Sequence, residues 1–217
     1  MLLLEAKMLL EELKGKKFKE IFSNSDLEYI IKNKGKSGQI IEKAIGLNNS
    51  NVTLDFEDGE LKTNKCDSNS KVLETMFITQ VNSMMDELLT GLKFQDSKLY
   101  KKISNLLYVP ISKEGNPEEW FIIDVIHINI KEDNHINLLK QLEEDYYSIC
   151  EQLKNHIETS VDGFIHTSNG KFIQIRSKDS KPYHPIKSEV YGRDVSNKNH
   201  AFYFKKTFMN YLIENNK

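Results

Sequence analysis

The stretch Leu54-Asp55-Phe56-Glu57-Asp58-Gly59-Glu60-Leu61-Lys62-Thr63 constrains this chain more than any other. Asp and Gly favour turns, so Phe56 to Gly59 reads as a turn carrying the chain from one extended segment into the next. Alternate side chains of a strand share a face, so Glu60 and Lys62 project together while Leu61 turns into the core. Asp55 closes the preceding strand. Two carboxylates and an ammonium therefore converge in one small space, which apolar packing alone does not require. With 29% of residues charged, the same pattern also arises in an ordinary solvated hairpin, so the spacing needs support from its surroundings.

The chemistry open to such a cluster is phosphodiester hydrolysis at a divalent metal. Mg²⁺ takes oxygen ligands, keeps several waters and needs only one or two carboxylates plus a phosphate. It offsets phosphate charge and acidifies a bound water. Asp55 and Glu60 are the expected metal ligands. Lys62 is placed to position or deprotonate the water, or to stabilise the transition state. Glu42, on a helix expected to begin near Lys36, is the candidate third carboxylate.

Segments on either side extend the pattern. Lys34-Gly35-Lys36-Ser37-Gly38-Gln39-Ile40-Ile41-Glu42 precedes it and Leu73-Glu74-Thr75-Met76-Phe77 follows. Far downstream come Leu142-Glu143-Glu144-Asp145-Tyr146, Gly170-Lys171-Phe172-Ile173-Gln174-Ile175-Arg176-Ser177-Lys178 and Ala201-Phe202-Tyr203-Phe204-Lys205-Lys206-Thr207-Phe208. In this order the blocks resemble the MutH family, which joins a mismatch-repair nicking endonuclease to GATC-cutting type II restriction enzymes. The resemblance covers most of the chain from about Lys34 onward. It departs from the mismatch-repair members at Ser177, where they have Pro, at Lys36-Ser37, where they have a bulkier pair, and in the short turn before Glu60.

The resemblance implies an α/β, restriction-endonuclease-like fold with a central mixed β-sheet flanked by helices. It implies metal ligation by Asp55 and Glu60, a further active-site acid at Glu42, a catalytic lysine at Lys62 and a second active-site lysine at Lys102, beside Lys101. Lys34, Phe77, Arg176 and Tyr203 match positions tied to DNA contact, and Lys178 and Lys205 join them from the same basic segments. The expected reaction is Mg²⁺-dependent, site-specific cleavage of double-stranded DNA, at GATC by resemblance, leaving 5′-phosphate and 3′-hydroxyl ends. Cutting both strands with one short chain points to a homodimer on DNA. The alternatives are a mismatch-repair enzyme that nicks unmethylated DNA when a partner ATPase activates it, and a non-catalytic DNA-binding module of the same fold. A Lys-, Asn- and Ile-rich composition leans the reading toward restriction.

Charge is unevenly spread. Phe164 to Lys217 holds ten Lys and Arg against four acids, about +6, leaving about −8 for the rest of a chain whose total is −2. A basic segment interleaved with Tyr183, Tyr191, Phe202 and Tyr203 suits phosphate neutralisation and groove contact. Cys66 and Cys150 form no Cys-x-x-Cys pair, so neither a disulfide framework nor a zinc knuckle is indicated. Gly35-Lys36-Ser37 mimics the end of a phosphate-binding loop, but that motif needs a glycine where Ile30 stands. The first residues alternate apolar and charged at helical spacing, unlike a signal peptide, and a cytoplasmic location is expected.

The chain reads as one 217-residue domain of two lobes around a DNA cleft, a catalytic lobe over about 1–110 and a recognition lobe over about 111–217. Helices are expected over Leu2–Phe22, Asp26–Asn33, Ser37–Ile45, Met84–Leu92, Ser97–Lys102 and Asn137–Ile157, with another at the C-terminal end. Strands are expected over Val52–Asp55, Glu60–Thr63, Val72–Thr79, Leu106–Ile111, Trp120–Ile130, Phe172–Ile175 and His200–Phe204. Ser177–Asn199 is expected to be loop-rich.

Overall fold

The computed structural model describes residues 1–33, 37–47, 54–178 and 181–216. Among them are eight α-helices: α1 (Leu3–Glu11), α2 (Phe18–Ile21), α3 (Asn24–Lys32), α4 (Ser37–Ala44), α5 (Met85–Thr90), α6 (Lys98–Ile103), α7 (Ile136–Thr159) and α8 (Lys206–Asn215). Ten strands accompany them: β1 (Glu60–Cys66), β2 (Met76–Gln80), β3 (Asn105–Ser112), β4 (Phe121–Ile122), β5 (Ile126–Asn129), β6 (Ser168–Asn169), β7 (Ile173–Ser177), β8 (Ile186–Ser188), β9 (Arg193–Ser196) and β10 (His200–Phe204). The chain forms two compact units. One comprises Met1–Glu74, Ser104–Asn129 and Met209–Lys217, the other Thr75–Ile103 and Ile130–Phe208. Each is assembled from separated stretches of the chain.

The first unit is built on a mixed sheet. β1 runs parallel to β3, with Glu60 beside Leu106 and Lys62 beside Tyr108, and β4 and β5 pair antiparallel to β3. Odd-numbered residues on one face, Leu61, Leu107, Val109 and Ile111, enter a core with Leu3, Ala6 and Leu10 of α1 and Ile40 and Ile41 of α4. That assignment leaves Glu60 and Lys62 on the opposite face. α4 approaches β1 closely at Gly38, where a Cβ would lie 3.3 Å from Thr63 Oγ1. This mixed sheet with its helices is consistent with the restriction-endonuclease-like fold.

The second unit is organised on an antiparallel sheet in the order β2-β10-β7-β6, with a separate β8–β9 hairpin. α7 buries Leu138, Leu142, Tyr146, Ile149, Leu153 and Ile157, a three-to-four residue spacing that keeps one face in the core. Asp145 shares that buried face. Its carboxylate accepts the backbone N–H groups of Lys171, Phe172 and Ile173 at 2.8, 2.6 and 3.2 Å, which fixes the start of β7. Gly170 passes so close that a Cβ would lie 2.4 Å from the Asp145 carboxyl carbon.

Several elements differ from expectation. The helix expected over Leu2–Phe22 breaks into α1 and α2, with Gly15 at φ +76° between them. Of the strand expected over Val52–Asp55, Leu54 and Asp55 lie in a bend, and Val52 and Thr53 fall outside the described residues. Val72 makes only an isolated bridge to Cys66, and β2 starts at Met76. The long strand expected over Trp120–Ile130 divides into β4 and β5. Its register on β3 slips by one residue between the Ile111–Ile122 and Tyr108–Ile126 pairs, on either side of Pro110. Proline has no N–H for the ladder, so it accompanies such irregularities. Among the described residues no helix is long and apolar enough to cross a membrane.

Candidate active site

Asp55, Glu60 and Lys62 meet where the turn feeds β1. Phe56, buried in the core, anchors the turn and donates its N–H to Gly59 O at 2.9 Å. Asp55 Oδ2 accepts the Leu61 N–H at 3.0 Å, which ties the first carboxylate to the strand that carries the second. Lys62 Nζ lies 2.5 Å from Glu60 Oε2 and 3.9 Å from Asp55 Oδ2. A single ammonium thus touches both carboxylates, so the two oxygens can be no farther apart than those two distances combined.

Burial grades across the cluster. The Glu60 side chain is 2% exposed, that of Lys62 13% and that of Asp55 33%, so the site opens to solvent on the Asp55 side. A charge as buried as Glu60 requires a close counter-charge, and Lys62 supplies it. The next residue on the same face, Asn64, is also buried. It accepts from Tyr108 Oη at 2.8 Å and donates to Glu74 O at 3.1 Å. Beside Glu60 and Lys62 on β3 stand the buried Leu106 and Tyr108.

Glu42, half-buried on α4, lies in the field of the same three groups. Burial raises its carboxyl above the ordinary carboxylate range, the negative charges of Asp55 and Glu60 raise it further, and Lys62 lowers it. The structure therefore brings together Glu42, Asp55, Glu60 and Lys62. Among the described residues no three His, Cys, Asp or Glu side chains are arranged to hold a metal ion alone. The Asp55 and Glu60 carboxylates are oxygen donors of the kind that hard divalent cations take.

In the second unit a different cluster lies across β2, β10 and β7. Tyr203 pairs with Phe77 on one side and Gln174 on the other, and its ring meets Phe77 edge-on at 5.7 Å. The Arg176 guanidinium sits over the Tyr203 ring at 4.3 Å and donates to Thr75 Oγ1 at 3.0 Å. Lys178 Nζ lies 5.2 Å from the centre of the Phe77 ring. Four residues expected to contact DNA, Phe77, Arg176, Lys178 and Tyr203, therefore form one continuous row. Lys205 does not join these contacts, because its ammonium donates to Gly170 O at 2.9 Å. Lys101 and Lys102 lie in the last turn of α6, also in the second unit, Lys101 exposed and Lys102 half-buried. Lys34 lies outside the described residues.

Sequence reasoning did not find the groups that fix these side chains. Thr75, which holds Arg176, is 101 residues away in the chain, and Asn105, which donates to Asp58 O, is 47 residues from the turn it touches. Neither carries a local signal.

Residues 46–141 match the family model described as DNA mismatch repair enzyme MutH. The match makes this segment, somewhat less than half of the chain, similar to that family. A search of curated proteins found no match. The matched segment contains Asp55, Glu60, Lys62, Phe77 and Lys102, while Lys34, Glu42, Arg176, Lys178, Tyr203 and Lys205 fall outside it.

Proposed function

We propose that this MutH-like protein is a Mg²⁺-dependent type II restriction endonuclease that cuts double-stranded DNA at a short specific site, GATC by resemblance, leaving 5′-phosphate and 3′-hydroxyl ends. The observation that carries the reading is the single ammonium of Lys62 in contact with both Glu60 and Asp55. Asp55 and Glu60 would hold the metal, which when bound offsets phosphate charge and acidifies a coordinated water. Lys62, an ammonium in this arrangement, would stabilise charge on the scissile phosphate or hold the attacking water. Glu42 adds a further carboxyl beside the pair, its proton held more tightly than usual by burial and by the charges of Asp55 and Glu60. Lys102 is the proposed second active-site lysine on the resemblance alone. Arg176, Lys178, Phe77 and Tyr203 would meet the DNA, two cations for phosphate or base edges and two rings that hold them in place.

The matched description, a DNA mismatch repair enzyme, favours a second reading; by resemblance such an enzyme would nick unmethylated DNA when a partner activates it. One experiment separates the readings: purified protein on supercoiled unmethylated plasmid with Mg²⁺, beside EDTA and GATC-methylated controls. Discrete linear fragments are expected, and mapping their ends gives the site. Nicked circles without linear product move the assignment to the mismatch-repair enzyme. Binding without any cleavage leaves a non-catalytic DNA-binding module.

A further inference from the structure

The turn that presents Asp55 and Glu60 is clamped from the neighbouring strand. Asn105, the first residue of β3, donates its side-chain Nδ2 to Asp58 O at 2.8 Å. Its Oδ1 faces His127 Nε2 on β5 at 2.8 Å. Because Nδ2 must be the donor to a carbonyl, Oδ1 is an acceptor and His127 Nε2 carries the proton. The amide is therefore held at both ends, by the turn in front and by the imidazole behind. The fit at the turn leaves no slack: a Cβ on Gly59 would lie 2.6 Å from Asn105 O and 3.2 Å from its Nδ2. On the other side of the turn, Asp58 Oδ1 accepts the Leu3 N–H at 2.8 Å. Asp58 is midway between the two carboxylates, three residues after Asp55 and two before Glu60, so a shift of this peptide moves both.

We propose that Asn105 is a positioning residue for the metal-binding turn, and that His127 fixes the direction in which its amide points. The proposal rests on reading Asp55 and Glu60 as metal ligands. Asn105 touches neither metal nor DNA in this account. It sets the spacing of the two carboxylates by holding the peptide between them, as polar groups behind metal ligands commonly do.

The test is a Mg²⁺ titration of the protein without DNA, followed by its melting temperature, together with DNA affinity measured in EDTA. Asn105→Leu keeps the approximate size and removes both hydrogen bonds. Its Mg²⁺ midpoint is expected to rise about tenfold, in the range reported for lost outer contacts at metal sites, while DNA affinity in EDTA stays at the wild-type value. His127→Phe should move the midpoint the same way by less. His127→Gln, which retains an amide donor, should move it back toward wild type. A lower melting temperature with an unmoved midpoint in both Asn105→Leu and His127→Phe would overturn the proposal, since a purely structural role predicts that result. Should Asn105→Leu not fold, His127→Phe decides alone. Asp55→Asn runs in parallel: if it keeps the wild-type midpoint, or wild type shows no Mg²⁺ response, the metal-site reading fails and the proposal fails with it.

Discussion

The cluster on β1 and the row across β2, β10 and β7 both combine charges with strand periodicity, but they are built in opposite ways. At β1 the charges are inward and mutually dependent: Glu60 is almost fully buried and its close ammonium is also largely covered. In the antiparallel sheet the aromatic rings carry the packing, with Phe77 40% exposed, and the cations lie on top of the rings. Opposed buried charges form a site whose electrostatics are strong because water is excluded. Cations over ring faces stay hydrated, and their individual energies are small, about 0.5–1 kcal/mol at exposed sites. The first arrangement suits chemistry on a phosphate, and the second suits binding one. Substitutions in the two regions should therefore separate rate from affinity.

The largest separation is expected from Asp55→Asn and Glu60→Gln. Cleavage should fall by about a hundredfold to a thousandfold, the loss typical of removing a transition-state electrostatic group. DNA affinity in EDTA should hold or improve, because repulsion with phosphate is reduced. Plasmid cleavage beside fluorescence anisotropy measures both, and undiminished cutting by either variant removes the β1 cluster from the mechanism.

Lys62→Met tests the mutual dependence. It should lose cleavage to a similar degree and also destabilise the fold, by about 3–5 kcal/mol for a buried carboxylate left without its partner. Mg²⁺ should then raise the melting temperature of the variant more than that of wild type, since a cation replaces the lost ammonium. Equal Mg²⁺ responses would mean that Lys62 and the metal do not share these carboxylates.

Arg176→Ala addresses the other region and should leave the single-turnover rate at saturating DNA unchanged. If Arg176 reads a base edge, discrimination at one position should fall by about 1–3 kcal/mol. A uniform loss of affinity with a salt slope smaller by about one assigns it to the phosphate backbone instead. Tyr203→Phe keeps the ring beneath the guanidinium and should change affinity less than Arg176→Ala, in the same binding assay.

The smallest effect concerns Glu42 and stability. Its carboxyl binds a proton more tightly in the folded chain than in the unfolded one, so stability falls as pH rises from the ordinary carboxylate range through the raised value. In metal-free buffer Glu42→Gln should flatten that decline and raise the melting temperature at neutral pH, while lowering cleavage. A wild-type profile that does not decline across this window, or a variant that declines equally, would detach Glu42 from the cluster.

Sequence reading found the centre of the β1 cluster because its spacing is local. A two-residue period places Glu60 beside Lys62, and Asp58-Gly59 marks the turn. α7 was legible for the same reason, its apolar residues recurring at helical spacing over six turns. Leu54 and Asp55, expected to end a strand, lie in a bend, because a short run of residues does not by itself distinguish the end of a strand from a bend. The Trp120–Ile130 run looked continuous because nothing within it announces the interruption. The irregularity lies opposite Pro110, in the strand it pairs with.

What the sequence determined by itself is which side chains share a face within one element, and the residue types that make such a face reactive. The tertiary structure alone decided which polar groups hold those faces in place. Asn105 reaches Asp58 across 47 residues, Arg176 reaches Thr75 across 101, and Asp145 gathers the amides at the start of β7. Helix and strand periods are written in residues two to four apart. Hydrogen-bond partners are chosen by the packing of whole elements, and a chain can bring almost any pair of positions together once the intervening loop is long enough.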